Sequence, residues 1–237
     1  MAQLAPLIPV VGCDGSGKST LAADLLAYVR ETRAADTVYL GLGSGAMGNR
    51  IKAWPLVGPV IERTLSKRAD RARDPKDKIP GLLTAIVLYR FSLKRKRQFE
   101  RLLAMRRNGT VVVTDRYPQV EVPGFYDGPG LSAARADNWI IARLAAKERA
   151  TYEWMASFVP TLVIRLNIDV ETALMRKPDH ARALIERKVA ATPLLTFNNA
   201  PIVDLDAKMP YAEELQLAKR AVDAALEADG KAPKNRS

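Results

Sequence analysis

The nine residues Gly12-Cys13-Asp14-Gly15-Ser16-Gly17-Lys18-Ser19-Thr20 constrain this chain more than any other segment. They match G-x-x-x-x-G-K-[ST], and the flanks agree: LIPVV (7–11) reads as a buried strand before the motif, and Leu21, Leu25, Leu26 and Val29 form an apolar helix stripe after it. Glycines let the backbone turn tightly and aim amide N–H groups inward, an anion nest at a helix N-terminus. Lys18 adds a cation for the outer phosphates, and Ser19 a hydroxyl for Mg²⁺. Gly12, Asp14, Gly15, Ser16, Gly17, Lys18, Ser19 and Thr20 are therefore the expected nucleotide-binding residues, with ATP and Mg²⁺ as cofactors. Asp14 opposes an anion and is expected to face away from the triphosphate. Cys13 reads as packing.

Composition removes other chemistries. The chain has 237 residues, one cysteine (Cys13) and one histidine (His180). An intrachain disulfide and a Cys/His zinc site are thereby excluded, and RKPDHAR around His180 offers no nucleophile for a Ser-His-Asp triad. His180 reads as a surface residue near a helix start. No run approaches the ~18 apolar residues of a spanning helix, and MAQLAPLIPVVG lacks a basic n-region. The expectation is a cytoplasmic protein with no membrane partner. Net charge is +11, and residues 61–110 hold 15 Lys/Arg against five Asp/Glu, so nearly all the excess lies there. This favours phosphate-bearing partners. Within that stretch Lys94, Arg97 and Arg101 would share one helix face, while Leu82, Ile86, Tyr89 and Leu93 would form the buried stripe.

Along the chain, strands alternate with helices. TVYLG (37–41) is a second strand, followed by the glycine-rich loop 41–48, a proline-interrupted helix from Ile51 and a polar linker (74–81). A long helix spans Leu82–Arg107 and is ended by Asn108-Gly109. TVVVTD (110–115) is the third strand, and PQVEVPGFYDGPG (118–130) is a loop. A helix over about Ser132–Phe158, strand 161–168, helix 170–176, an excursion over 177–200, strand 201–206 and helix Tyr211–Ala228 complete the pattern. Such alternation implies one α/β domain over 1–228, a mostly parallel five-stranded sheet flanked by helices, with residues 229–237 as a frayed tail. Asp115 would stand at the C-terminal edge of its strand, where ligands bind in open parallel sheets. There it can hold Mg²⁺ together with Ser19 or orient an acceptor, and Arg116 can grip an anionic one.

GCDGSGKST followed by VVVTDRY resembles the thymidylate kinase family of nucleoside monophosphate kinases. PTLVIRLNIDVETALMRK (160–177) and PIVDLDAKMPYAEEL (201–215) are similar to that family's fourth strand and its last strand and helix. The resemblance implies a P-loop NTPase fold with a lid over about 177–200. It implies that Asp14 meets the acceptor sugar, that Arg116, Tyr117 and the helix residue Arg90 bind the acceptor, and that Asp115 sits near the attacking group. Gly15 stands where some members carry a catalytic arginine, which shifts that role to lid cations: Arg176, Arg182, Arg187 or Lys188. Members also form homodimers.

Departures all fall on the acceptor side. Ile86 replaces the aromatic that stacks on thymine, Leu42-Gly43-Ser44-Gly45-Ala46 replaces R-E-P-G-G, and Pro118 opens a different loop after DRY. The leading expectation is γ-phosphoryl transfer from ATP to a small phosphorylated acceptor, dTMP by default, with a sugar phosphate or other non-nucleotide as the alternative. An unphosphorylated nucleoside would leave the basic stretch without purpose. A second alternative is an ATP-binding module docked on nucleic acid or polyphosphate through residues 61–110. Tyr89, Phe91 and Phe99 are too few for a base-stacking platform, which makes nucleic acid the less expected partner.

Overall fold

The computed structural model describes residues 4–41, 81–124, 127–131 and 135–231. The expected loop 42–48, the helix from Ile51, the linker up to residue 80 and the tail 232–237 lie outside the described residues. Two compact units emerge: residues 1–40, 98–117 and 158–237 in the first, and 41–97 and 118–157 in the second.

The first unit is an all-parallel sheet of β1 (Leu7–Gly12), β2 (Ala35–Thr37), β3 (Val111–Thr114), β4 (Val163–Asn167) and β5 (Ile202–Asp206), in the order β2-β3-β1-β4-β5. Burial declines outward from the middle. Every residue of β1 and β3 is buried, β4 is partly covered, and the edge strands β2 and β5 carry exposed positions. A central parallel strand is covered on both faces, so it needs a continuous apolar run rather than an alternating one, which LIPVVG and VVVT supply. Each buried Leu, Ile or Val there contributes roughly 1.5–3 kcal/mol relative to exposure. Helix α1 (Lys18–Arg30) follows β1 and buries Leu21, Leu25, Leu26 and Val29 as expected.

β2 is displaced from its expected place at 37–41. Ala35, Asp36 and Thr37 register with Val111, Val112 and Val113, and then the ladder stops. Beyond it the Thr114 hydroxyl donates to the Val38 carbonyl at 3.0 Å, so a side chain replaces the next rung. Val38 and Leu40 are buried without being paired strand residues, and their apolar character alone mimics a longer strand.

Helix α2 spans Leu82–Arg107, the bounds read from sequence. Thr110 N–H bonds the Met105 carbonyl and Gly109 N–H the Arg106 carbonyl, a Schellman closure with Gly109 at φ +80°. Its buried face differs from the expected one by one residue. Leu82 and Ile86 are exposed, while Ala85, Leu88, Ser92 and Arg95 are buried. The reason lies in the second unit, where α3 (Trp139–Ala156) supplies partners that make burial of polar side chains tolerable. Ser92 donates to Glu148 at 2.6 Å, and Glu148 also accepts the Leu131 N–H at 2.6 Å. Arg95 donates to the Asp127 carbonyl at 2.7 Å, to the Tyr152 hydroxyl at 3.0 Å and to the Asp127 carboxylate. Of the run Lys94-Arg95-Lys96-Arg97, therefore, Arg95 is a core residue. Lys96 lies over the Trp154 ring, and Lys94 and Arg97 are exposed, as is Arg101.

α3 begins at Trp139, not near Ser132, because Asn138 accepts the Ile141 N–H and caps it. Helix α4 (Val170–Arg176) is capped by Asp169, α5 (Arg182–Ala191) runs into a 3₁₀ turn (Thr192–Leu194), and α6 (Tyr211–Lys231) extends into the expected tail. No described helix is long and apolar enough to cross a membrane.

Candidate nucleotide site

The loop leaves the C-terminal end of β1, beside β3 and β4. Gly12 pairs with Leu166 of β4, and a Cβ on Gly12 would come within 2.8 Å of the Leu166 carbonyl oxygen and 2.7 Å of Ser16 Oγ. Only glycine lets the central strand turn here. Gly15, at φ +86°, lies against α4, where a Cβ would meet the Ala173 carbonyl at 3.0 Å. Gly17, by contrast, has no atom within 4 Å of a built Cβ, and it heads α1 without a side-chain cap. The first turn of α1 thus presents its amides to an open approach, the requirement for an anion. The buried Ser16 hydroxyl has no hydrogen-bond partner among the described residues. An orphaned polar atom at this place fits a site completed by a ligand.

Lys18 folds back over the loop, its Nζ 3.4 Å from the Cys13 carbonyl and 3.6 Å from Asp14 Oδ1. Ser19, the second residue of α1, donates from Oγ to Asp115 Oδ2 at 2.8 Å. That contact joins the loop to the acid after β3 across 96 residues of sequence. The two oxygens suit Mg²⁺, which takes few protein ligands and completes its shell with water and phosphate oxygens. Thr20 is exposed on the same turn.

Asp14 gathers basic side chains. Lys188 of α5 donates to its carboxylate, Lys18 stands at 3.6 Å and His180 Nε2 at 3.8 Å. Burial pushes the Asp14 pKa up, but Lys188, Lys18 and Arg116 outweigh it and hold the carboxyl at about 2. A depressed folded-state pKa stabilises the fold above the ordinary value of 3.8, and that contribution is lost as pH falls through about 2. Asp14→Asn is accordingly expected to flatten the acid loss of stability between about pH 4 and 2 relative to wild type, measured by thermal melts across that range. Asp169 is also held at about 2, by the Thr172 N–H and hydroxyl and by Lys208, and titrates identically in both proteins. Equal slopes would show that the Asp14 cluster does not form.

The expected cations divide. Arg176 donates to the Gly15 carbonyl at 3.2 Å and to the Ala207 carbonyl at 3.0 Å, so it stands beside the loop position that lacks an arginine of its own. Lys188 reaches Asp14. Arg182 instead forks onto Glu171 at 2.6 and 2.9 Å, and Arg187 is exposed on α5. Arg116 is half-buried, with its charge acting on Asp14. Tyr117, expected at the acceptor, requires correction: it is 2% exposed, donates to the Phe158 carbonyl and packs with Phe99 and Phe197. An aromatic after a strand end is drawn into the core when a carbonyl satisfies its hydroxyl. Arg90 belongs to the second unit, exposed on α2.

Two residues escaped the sequence reading. His180 looked like a surface residue because its partner Asp14 is remote in sequence. Glu214, which the sequence reading did not single out, is 3% exposed; burial raises its pKa, and Arg176 opposes that rise. A signal existed for Glu214 alone, in its place on the apolar side of α6.

The sheet order and this loop define a P-loop NTPase fold. No family model matches the chain. It is 44% identical over 221 residues to a protein of Escherichia coli K12 named "uncharacterized ATP-binding protein YghS", covering 93% of each. It is 43% identical over 217 residues to "uncharacterized ATP-binding protein YghR" of the same organism, covering 91% of this chain and 86% of the relative. The chain belongs to the family of YghS and YghR.

Proposed function

We propose that this protein binds Mg²⁺ and ATP at Gly12–Thr20 and transfers the γ-phosphoryl group to a small phosphorylated acceptor. The observation that carries the reading is the Ser19–Asp115 contact at 2.8 Å, which puts a second acid beside the phosphate loop. The names of YghS and YghR support the ATP half of it. Mg²⁺ on Ser19 and Asp115 would neutralise charge on the β- and γ-phosphate oxygens. Lys18 binds the outer phosphates, and Arg176, fixed by two carbonyls, meets charge that spreads over the equatorial oxygens of the transferring group. A phosphate acceptor attacks through an oxygen already ionised near neutral pH, so it needs no general base. The new oxygen–phosphorus bond forms as the β–γ bridge breaks, and ADP keeps the bonding pair. Residues 177–200 act as the lid that excludes water during transfer.

The test is ADP release from MgATP against a panel of nucleoside monophosphates, deoxynucleosides and sugar phosphates. Acceptor-stimulated turnover by one class is expected, and Arg116→Ala is expected to raise the KM for that acceptor with little change in the KM for ATP. Silence across the panel, with ATP still bound, would replace transfer by the second reading. That reading is an ATP-binding module that holds a polyanion on the exposed Lys94, Arg97 and Arg101. Its mark is polyphosphate or oligonucleotide retention that falls steeply with salt.

A further inference from the structure

Asp14 is expected from the family resemblance to contact the acceptor's sugar, yet its carboxylate is already engaged by protein cations. Both of its oxygens face ammonium groups, Oδ1 that of Lys18 and Oδ2 that of Lys188, with His180 Nε2 3.8 Å from Oδ2. Neither lysine is a loose surface charge: the Lys18 side chain is 11% exposed and the Lys188 side chain 23%. The helix that carries Lys188 is also held. Ile185, three residues earlier, is fully buried in the core. Four residues later Thr192 is buried, and its hydroxyl donates to the Lys188 carbonyl at 2.9 Å. Arg165 of β4 then fastens the end of the segment, donating to the carbonyls of Thr192 at 3.4 Å, Pro193 at 3.3 Å and Leu195 at 2.9 Å while pairing with Asp204. The backbone bearing Lys188 is thereby seated against the loop, and its ammonium is held by the Asp14 carboxylate.

We infer that Asp14 is a positioning residue that holds Lys188 at the phosphate loop, making Lys188 the second lysine of the terminal-phosphate site. The inference rests on the reading that the chain binds ATP. A lone carboxylate in a phosphate cradle repels the ligand. A carboxylate shared by Lys18 and Lys188, with Arg116 nearby, leaves the cluster net positive and fixes where the charge stands. When a triphosphate arrives, Lys18 turns from Cys13 and Asp14 to the phosphates, and Asp14 retains Lys188 at the rim. A cation aimed there by its partner loses less side-chain freedom on meeting the outermost phosphate than one free in solvent. The terminal phosphate distinguishes ATP from ADP, so the consequence is nucleotide discrimination.

The experiment measures the Kd of MgATP and MgADP by titration calorimetry for wild type, Lys188→Ala, Lys188→Arg, Asp14→Asn and the Asp14→Asn/Lys188→Ala pair, with melting curves to establish folding. Lys188→Ala is expected to weaken ATP about tenfold while changing ADP less than about twofold, with Lys188→Arg keeping most of the preference. Asp14→Asn should also lower the ATP-over-ADP preference, by about five- to tenfold, and the double variant should lose no more than Lys188→Ala alone. Simple charge removal has the opposite sign, because deleting a negative group beside the phosphates favours the more highly charged ATP. A preference that stays or rises in Asp14→Asn overturns the assignment, as do losses that add in the double variant. If Asp14→Asn does not fold, Asp14→Ser takes its place, with the same loss of preference expected and the same outcomes overturning the assignment. Wild-type protein without ATP affinity would refute the ATP reading itself; wild-type affinity with unmoved ratios would refute only the role of Asp14 and Lys188.

Discussion

Lys18→Ala is expected to weaken MgATP binding at least about 100-fold, ~2.7 kcal/mol, and to abolish turnover in the acceptor panel. The size follows from what the ammonium does. Lys18 stands at the start of α1 with its side chain 11% exposed, folded over the loop and 3.4 Å from the Cys13 carbonyl. It is the loop's own cation, and phosphate contacts to a charged donor in a partly dry site are among the stronger hydrogen bonds. The fold should not suffer: alanine is a better helix former than lysine, and the apolar stripe of α1 lies on other residues. Calorimetric titration with MgATP, alongside a melting curve, checks both halves. A Kd within about threefold of wild type would mean that the loop does not bind the triphosphate in this way.

The largest stability effect is expected in the second unit, at Arg95. Arg95→Ala should cost about 3–5 kcal/mol, because removal of one member of a buried ion pair strands the other. Arg95 has no exposed side-chain surface and Asp127 is 12% exposed. The guanidinium also serves the Tyr152 hydroxyl and the Asp127 carbonyl. Urea melts of Arg95→Ala, Arg95→Met and Arg95→Met/Asp127→Asn separate the causes. The Met variant should remain destabilised, since volume is not the main loss, and the Asn change should restore part of it by removing the stranded charge. A loss below about 1 kcal/mol in Arg95→Ala would place Arg95 in solvent, as its setting in a KRKR run suggests.

That contrast shows where sequence reasoning stops. The bounds of α2 were legible to the residue, since helical periodicity and an Asn-Gly stop are local signals. Its buried face was not. Leu82, Ile86, Tyr89 and Leu93 carry more apolar area than Ser92 and Arg95, and only Glu148, Asp127 and Tyr152 explain why the polar residues turn inward. Tyr117 failed in the opposite sense: a residue in a motif-like DRY run was pulled into the core by Phe99, Phe197 and the Phe158 carbonyl.

For the nucleotide site the division is equally physical. Sequence alone determined the phosphate loop, its flanking strand and helix, the parallel class of the sheet and the acid at the end of β3. Each of these is set by backbone freedom, periodicity or unbroken apolar character within a few residues. Only the tertiary structure decided which charges meet. Lys188 and His180 come to Asp14, Arg176 to Gly15 and Ala207, and Arg182 to Glu171. Electrostatic pairing depends on distance in space, and the parallel crossovers that bring α4 and α5 beside the loop leave no trace in the local sequence of either partner.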